Sequence, residues 1–165
     1  MRVLGIDPGT LNMGYGVVDS YGDSMTMVDC GVLKFSPKIP VEQRLRFLYK
    51  GLGEIIARYR PDEVAIEEPF VAGNVRSALA IGRAQAIAIL AAVNEDLPVF
   101  HYLPTHVKQQ VTDYGNSSKE QVQEVVRIQF DLPQSPQSTD ATDALAVAIC
   151  HFQRKHIDHL ITNSQ

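Results

Sequence analysis

The feature that most constrains the fold of this chain is a change of hydrophobic period at Pro40. Before Pro40, short apolar runs alternate with turn residues, which is typical of strands joined by tight turns. Three such runs, near 2–7, 14–18 and 25–33, predict an antiparallel meander. After Pro40, apolar residues recur at steps of three and four as far as Tyr59, and this spacing predicts an amphipathic helix.

The rest of the chain alternates strand-like and helix-like segments. A strand over 63–67, a helix over 75–93 and a strand over 98–103 are followed by helices over 105–112, 118–130 and 139–151. This order predicts an α/β fold with a mixed five-stranded sheet, in which three antiparallel strands precede parallel strands and helices cover both faces. In the simplest arrangement, the first and fourth strands are parallel neighbours.

The length and composition indicate one globular domain. The 165 residues are 45% hydrophobic and 21% charged. We expect one folded domain over 1–152 and a polar tail over 153–165 that frays. No signal peptide is visible, and no wholly apolar run reaches the roughly 20 residues of a membrane span, so we expect a cytoplasmic protein that does not engage a membrane.

Four carboxylates stand at positions where they can converge. Asp7 and Glu67 each end a predicted strand, and Asp140 and Asp143 lie three residues apart on one helix face. Converging carboxylates repel one another, so such a group needs cations, and all-oxygen ligands suit Mg²⁺ or Mn²⁺. Two such ions can activate a water molecule for phosphoryl displacement.

Each of these acids also has an ordinary structural interpretation. Asp7 stands before Pro-Gly and could simply begin a turn, and Glu67 could be a solvated strand end. Asp140 could cap a helix, and Asp143 could pair with a basic residue. Only their combined positions favour a metal site.

Three further residues have both a structural and a functional interpretation. Lys108 and Lys119 could be solvated helix lysines, and Phe70, in the loop after Glu67, could plug the core or stack on an unpaired base. The net charge is −4, yet residues 34–60 carry seven basic and two acidic side chains. The sequence leaves open whether that basic segment touches nucleic acid.

The predicted helix over 75–93 is apolar on nearly every side and rich in small residues. We expect one face to cover the sheet and the other to form a two-fold dimer interface that includes Ile81 and Ile87. The alternative is that later helices of the same chain cover that face.

Taken together, the motifs resemble those of the RuvC Holliday-junction resolvases from residue 1 to about 152. The matching segments are Ile6-Asp7-Pro8-Gly9-Thr10 with Gly14-Tyr15-Gly16, Ala65-Ile66-Glu67 with Phe70 and Asn74, Val107-Lys108-Gln109, Lys119, and Asp140-Ala141-Thr142-Asp143-Ala144-Leu145-Ala146. The tail matches no motif of that family, and this chain is acidic where family members are often basic.

The resemblance implies a ribonuclease H-like fold and a homodimer that nicks opposing strands of four-way DNA in recombination and repair. By this resemblance Asp7, Glu67, Asp140 and Asp143 would hold Mg²⁺ or Mn²⁺, with two ions per site. Lys108 and Lys119 would serve the scissile phosphate. Phe70 would lie against splayed bases at the junction centre, and a branch-migration helicase complex would be a partner.

Three other functions compete with this interpretation. A related ribonuclease H-like nuclease could act on RNA, and a scaffold could bind branched DNA without cutting it. Asp7-Pro8-Gly9-Thr10 also resembles the first phosphate motif of actin-like kinases and ATPases. That fold usually repeats its core, and this chain shows no second copy of the motif.

Overall fold

The computed structural model describes residues 1–22, 24–68, 75–112, 116–132 and 138–162. Within these ranges the chain forms five strands and five helices. In chain order they are β1 (Arg2–Asp7), β2 (Asn12–Tyr21), β3 (Ser24–Lys34), α1 (Val41–Tyr59), β4 (Glu63–Glu67), α2 (Val75–Val93), β5 (Val99–Tyr102), α3 (Pro104–Thr112), α4 (Lys119–Gln129) and α5 (Thr139–Thr162).

The strands form one mixed sheet in the order β3-β2-β1-β4-β5, which confirms the predicted fold class. β1 is antiparallel to β2, and β2 is antiparallel to β3. β1 is parallel to β4, and β4 is parallel to β5, as a helical crossover between strands requires. Ile6 lies opposite Ile66 in the β1–β4 pair, so Asp7 and Glu67 follow side by side where these strands end. We call this end of the sheet the carboxyl edge.

Each face of the sheet has its own apolar core. Leu4 and Ile6 of β1 belong to the core that contains the buried residues of α1 and α2. Val3 of β1 and Ala65 of β4 belong to the other core, which α3, α4 and α5 supply. Because side chains alternate along a strand, this division also fixes which face each strand-end acid occupies.

Helix α5 lies unusually close to β1 and β2, because three glycines leave room for its backbone. A Cβ built on Gly5 would lie 2.2 Å from the Ala144 carbonyl oxygen, and one on Gly14 would lie 1.9 Å from that of Asp140. A Cβ on Gly16 would lie 2.7 Å from the Leu145 side chain. We call Gly5, Gly14 and Gly16 the glycine cradle. Any larger residue there would push α5 off the sheet.

The expected end of the last helix near 151 is wrong. α5 continues to Thr162, through most of the segment expected to fray. Lys155 donates a 2.8 Å hydrogen bond to Glu63 at the start of β4, and Arg154 pairs with Asp158 one turn along the helix. These contacts hold a polar segment in helical form. The proposed domain boundary at 152 therefore falls inside α5.

Helix α2 packs mainly on α1 and buries only alanines, namely Ala84, Ala88, Ala91 and Ala92. Leu79 and Leu90 are 57% and 48% exposed. The later helices lie on the opposite face of the sheet. By length and composition alone α2 could span a membrane, but its alanines pack within the core as in a globular domain.

Candidate active site

Asp7 and Glu67 share the face of the sheet on which α5 lies. Asp7 follows Val3 and Gly5 at a spacing of two, and Val3 belongs to the α5 core. Glu67 follows Ala65 in the same way on β4. The pleat therefore points both carboxyl groups toward α5 at the carboxyl edge.

The first turns of α5 bring the remaining two acids to this edge. Gly14 is the cross-strand partner of Asp7, and it is also the residue whose missing side chain admits the Asp140 backbone. Asp143 lies one turn further along α5 on the same side. Ser138 orders the start of the helix: its hydroxyl donates to Asp140 (3.3 Å) and its carbonyl accepts from the Thr142 hydroxyl (3.2 Å).

The two strand-end acids hold their protons more tightly than ordinary carboxylic acids. Burial, with the nearby charges of Glu67, Asp143 and Asp140, raises the pKa of Asp7 to about 8. Burial and the charge of Asp143 raise the pKa of Glu67 to about 7, although a hydrogen bond with Asp7 opposes this rise. The shift of Asp7 shows that Glu67, Asp143 and Asp140 all lie within electrostatic reach of Asp7. At neutral pH the pair formed by Asp7 and Glu67 retains protons that a cation would displace.

Two lysines lie near the acids. The Lys119 ammonium lies 3.2 Å from Asp143, and that charge raises the pKa of Lys119. A capping box between Ser118 and Gln121 fixes the start of α4 and so holds Lys119 at the edge. Lys108 on α3 lies close enough to lower the pKa of Glu67, although by less than Lys119 does.

The acids suit a metal that takes part of its coordination from elsewhere. Among the described residues, no three His, Cys, Asp or Glu side chains converge closely enough to enclose an ion. Mg²⁺ usually takes one or two protein carboxylates and completes its shell with water and substrate phosphate oxygens. Buried carboxyl groups with raised pKa values fit such an ion, since a divalent charge would relieve their repulsion.

The loop that follows Asp7 is held in place by α1. The Arg44 guanidinium donates to both the carbonyl and the hydroxyl of Thr10, at 3.3 and 3.4 Å. On the other side, the Phe35 amide donates to the Leu11 carbonyl at 2.8 Å. The loop is therefore clamped between β3 and α1.

The glycine cradle and Arg44 are site-building residues that the sequence analysis missed. The signal for the cradle was present, because Gly14 and Gly16 lie two apart on one strand face and Gly5 pairs with Gly16. Glycines aligned across two strands indicate close approach of another backbone. Phe70 lies outside the described residues, so its predicted role remains a prediction.

Comparisons with known proteins agree with this geometry. A sequence model of the family described as Crossover junction endodeoxyribonuclease RuvC matches residues 3–151. The chain belongs to the RuvC family. A RuvC of Dehalococcoides mccartyi is 51% identical over 162 residues, which cover 98% of this chain and 97% of that protein. A RuvC of Desulforamulus reducens is 48% identical over 153 residues, with 93% and 94% coverage.

Solved RuvC structures share the whole fold. RuvC of Thermus thermophilus in complex with a Holliday junction substrate superposes with a TM-score of 0.90 at 33% identity, covering 96% of each chain. A second structure of Thermus thermophilus RuvC gives a TM-score of 0.87. The ribonuclease H-like fold that the motifs implied is thereby confirmed.

Proposed function

We propose that this RuvC family member resolves four-way DNA junctions by metal-dependent nicks in opposing strands. The observation that carries the proposal is that Glu67, Asp143, Asp140 and Lys119 lie within electrostatic reach of the buried Asp7 in a chain of this family. The relative seen with a Holliday junction substrate supports the choice of DNA. The biological setting would be recombination and repair in the cytoplasm.

Asp7, Glu67, Asp140 and Asp143 would hold Mg²⁺, with Mn²⁺ able to replace it and two ions per site. When bound, such ions activate a water molecule and stabilise the leaving oxygen of the phosphodiester. Asp7 and Glu67 are the rigid part of the site, because pairing with Gly14 and Tyr102 fixes their backbones. Asp140 and Asp143 are placed by α5, whose position depends on the glycine cradle.

The two lysines would act on the phosphate. Lys119, now paired with Asp143, is 64% exposed and can turn toward a phosphate oxygen once a metal satisfies that carboxylate. Lys108 would approach from α3, on the side of Glu67. Cations aimed at charge that develops during the reaction stabilise the transition state more than bound substrate.

We further propose that the protein works as a homodimer through the exposed face of α2. Val75, Leu79, Leu90 and Val93 are all exposed on this helix. A two-fold contact would bury the same apolar patch on both partners, and it would present two sites to the two equivalent strands of a junction. Phe70 would lie against the bases at the junction centre, and a branch-migration helicase complex would be a partner.

The proposed activity can be tested on three substrates in parallel. The protein is incubated with a four-way DNA junction, a linear DNA duplex and an RNA of matched length, each with Mg²⁺ and with EDTA. We expect nicks only in the four-way junction, and only when Mg²⁺ is present. Cutting of RNA would favour the alternative nuclease, and tight junction binding without nicks would favour a scaffold.

A matched pair of variants links this activity to the carboxylates. Glu67→Gln removes one buried site carboxylate, whereas Glu54→Gln removes an exposed carboxylate on α1. We expect the first to abolish nicking and the second to leave it intact. Equal rates for the two variants would contradict the assignment of Glu67.

A further inference from the structure

The basic residues of 34–60 do not form one patch, because α1 separates them into groups. Lys34, Lys38 and Arg44 lie where β3 ends and α1 begins, whereas Lys50, Arg58 and Arg60 lie along the rest of α1 and at its end. Arg44 and Arg58 are fourteen residues apart, or about 21 Å along the helix. The two groups can therefore face different surroundings.

Lys34 and Arg44 lie at the carboxyl edge, and Lys38 lies in the segment that joins β3 to α1. Asp7 pairs with Gly14, and Gly14 pairs with Val32, so Lys34 at the end of β3 is two residues beyond the row of Asp7. Two strand spacings separate β1 from β3, or about 10 Å across the sheet. Arg44 reaches the same place from α1 through its contacts with Thr10.

Within the residues that the structure describes, the side chains of this group have no acidic partner. Neither Lys34 nor Lys38 nor Arg44 forms an ion pair within the described part of the chain. The nearby Glu42 precedes Arg44 by two residues, so it points to a different side of α1, about 200° around the helix. Arg46 shares the side of Glu42, because it follows that acid by four residues. Lys34 and Lys38 are exposed, so their charge is available to a ligand.

The second group is engaged elsewhere. Lys50 pairs with Glu54 at 3.8 Å, and the Arg58 guanidinium lies 5.1 Å from the centre of the Tyr59 ring. Arg60 forms the end of α1, next to the start of β1, where Arg2 donates to the Tyr59 carbonyl. The start of β1 is the end of the sheet away from Asp7.

We propose that Lys34, Lys38 and Arg44 form a phosphate-binding strip that guides one arm of the DNA into the active site. The proposal rests on the proposed function. Ammonium and guanidinium groups without acidic partners attract backbone phosphates regardless of base sequence. The strip begins beside the loop that follows Asp7, so a strand bound along it leads directly to the carboxylates. In this arrangement Lys50, Arg58 and Arg60 make no DNA contact.

Two double variants with the same change of charge test the strip. Lys34→Gln/Lys38→Gln removes two exposed charges from the strip, and Lys50→Gln/Arg58→Gln removes two from the rest of α1. Arg44 is left intact because it also holds the loop at Thr10. Junction affinity is measured by fluorescence anisotropy in Ca²⁺ between 50 and 200 mM salt. Thermal unfolding confirms that both variants fold.

For the strip variant, we expect the plot of log affinity against log salt concentration to have a shallower slope. The slope should change by about 0.9 for each phosphate that is no longer neutralised, which is about 1.8 for the two lysines of each protomer that contacts DNA. The control variant should keep the wild-type slope. The control variant should also nick at the wild-type rate in single turnover at saturating protein. Equal slopes for the two variants, whether both changed or both unchanged, would overturn the strip. Failure of the wild-type protein to bind the junction would instead overturn the proposed function.

Discussion

The glycine cradle makes a sharp prediction, because one added methyl group should reduce catalysis without touching any charged residue. In Gly14→Ala the new Cβ would lie 1.9 Å from the Asp140 carbonyl oxygen and 2.4 Å from its carbonyl carbon. Both neighbours are backbone atoms, so no side chain can turn aside. The gap must open by about 1.1 Å to reach the 3.0 Å that real Cβ contacts respect.

The displacement falls directly on the proposed metal ligands. Moving the start of α5 moves Asp140 and Asp143 relative to Asp7, which stays fixed in β1. A misplacement of about 1 Å costs on the order of 10²-fold in rate. The overpacking should also destabilise the fold by about 1–3 kcal/mol.

Gly53→Ala is the matched control, since it adds the same methyl group on α1 where nothing lies within 4 Å. This variant should nick at the wild-type rate and be more stable by roughly 0.5–1 kcal/mol, because alanine favours a helix over glycine. Single-turnover nicking of a four-way junction in Mg²⁺ and thermal unfolding give both quantities. A folded Gly14→Ala protein that nicks within about threefold of wild type would refute the role of the cradle.

The site and the α2 surface lead to four other predictions. Lys119→Ala should lower the single-turnover rate by about 10²–10³-fold with little loss of junction affinity. The control Lys50→Ala should change neither quantity. A normal rate for Lys119→Ala would show that Lys119 is only an ordinary phosphate contact. The Mg²⁺ concentration for half-maximal nicking should fall as pH rises through about 7 and 8, where Glu67 and Asp7 release their protons, and a pH-independent value would contradict the raised pKa values. Without metal, Asp7 and Glu67 keep their protons in the folded state. In the unfolded chain their pKa values are 3.8 and 4.5, so there they release these protons at a lower pH. The free energy of unfolding should therefore fall as pH rises from about 4 to 8. Leu79→Glu should convert a dimer to a monomer in sedimentation while Ile128→Glu, an exposed site on α4, should not; a dimeric Leu79→Glu protein would place the interface elsewhere.

The sheet could be predicted well from the sequence because its signals are local. Alternating apolar runs and short turns set the antiparallel strands, and an acid at the end of β1 and of β4 was visible in the letters alone. Parallel pairing of those two strands then brought Asp7 and Glu67 together. The acids could be placed because strand direction and side-chain alternation leave few choices.

The remainder depended on contacts between distant residues. The tail looked frayed because its own residues are polar, yet Lys155 is anchored by Glu63, 92 residues earlier. Gly14 looked like the first residue of a strand, and only the position of α5 shows why no side chain fits there.

The structure also changes the choice of interface probes on α2. Ile87, which the sequence suggested, packs against the core and would test folding as much as association. Leu79, at 57% exposed, is the cleaner probe.

The most direct test of the whole account is to map the nicks on a four-way junction with each strand labelled in turn, using the wild-type protein and Asp7→Asn. We expect the wild-type protein in Mg²⁺ to cut two opposing strands at symmetry-related positions. Asp7→Asn should bind the junction in EDTA at least as tightly as wild type and cut no strand, since it loses a metal ligand and adds no negative charge that would repel DNA. Unpaired cuts scattered over all four strands, or normal cutting by Asp7→Asn, would contradict a paired, carboxylate-dependent resolvase.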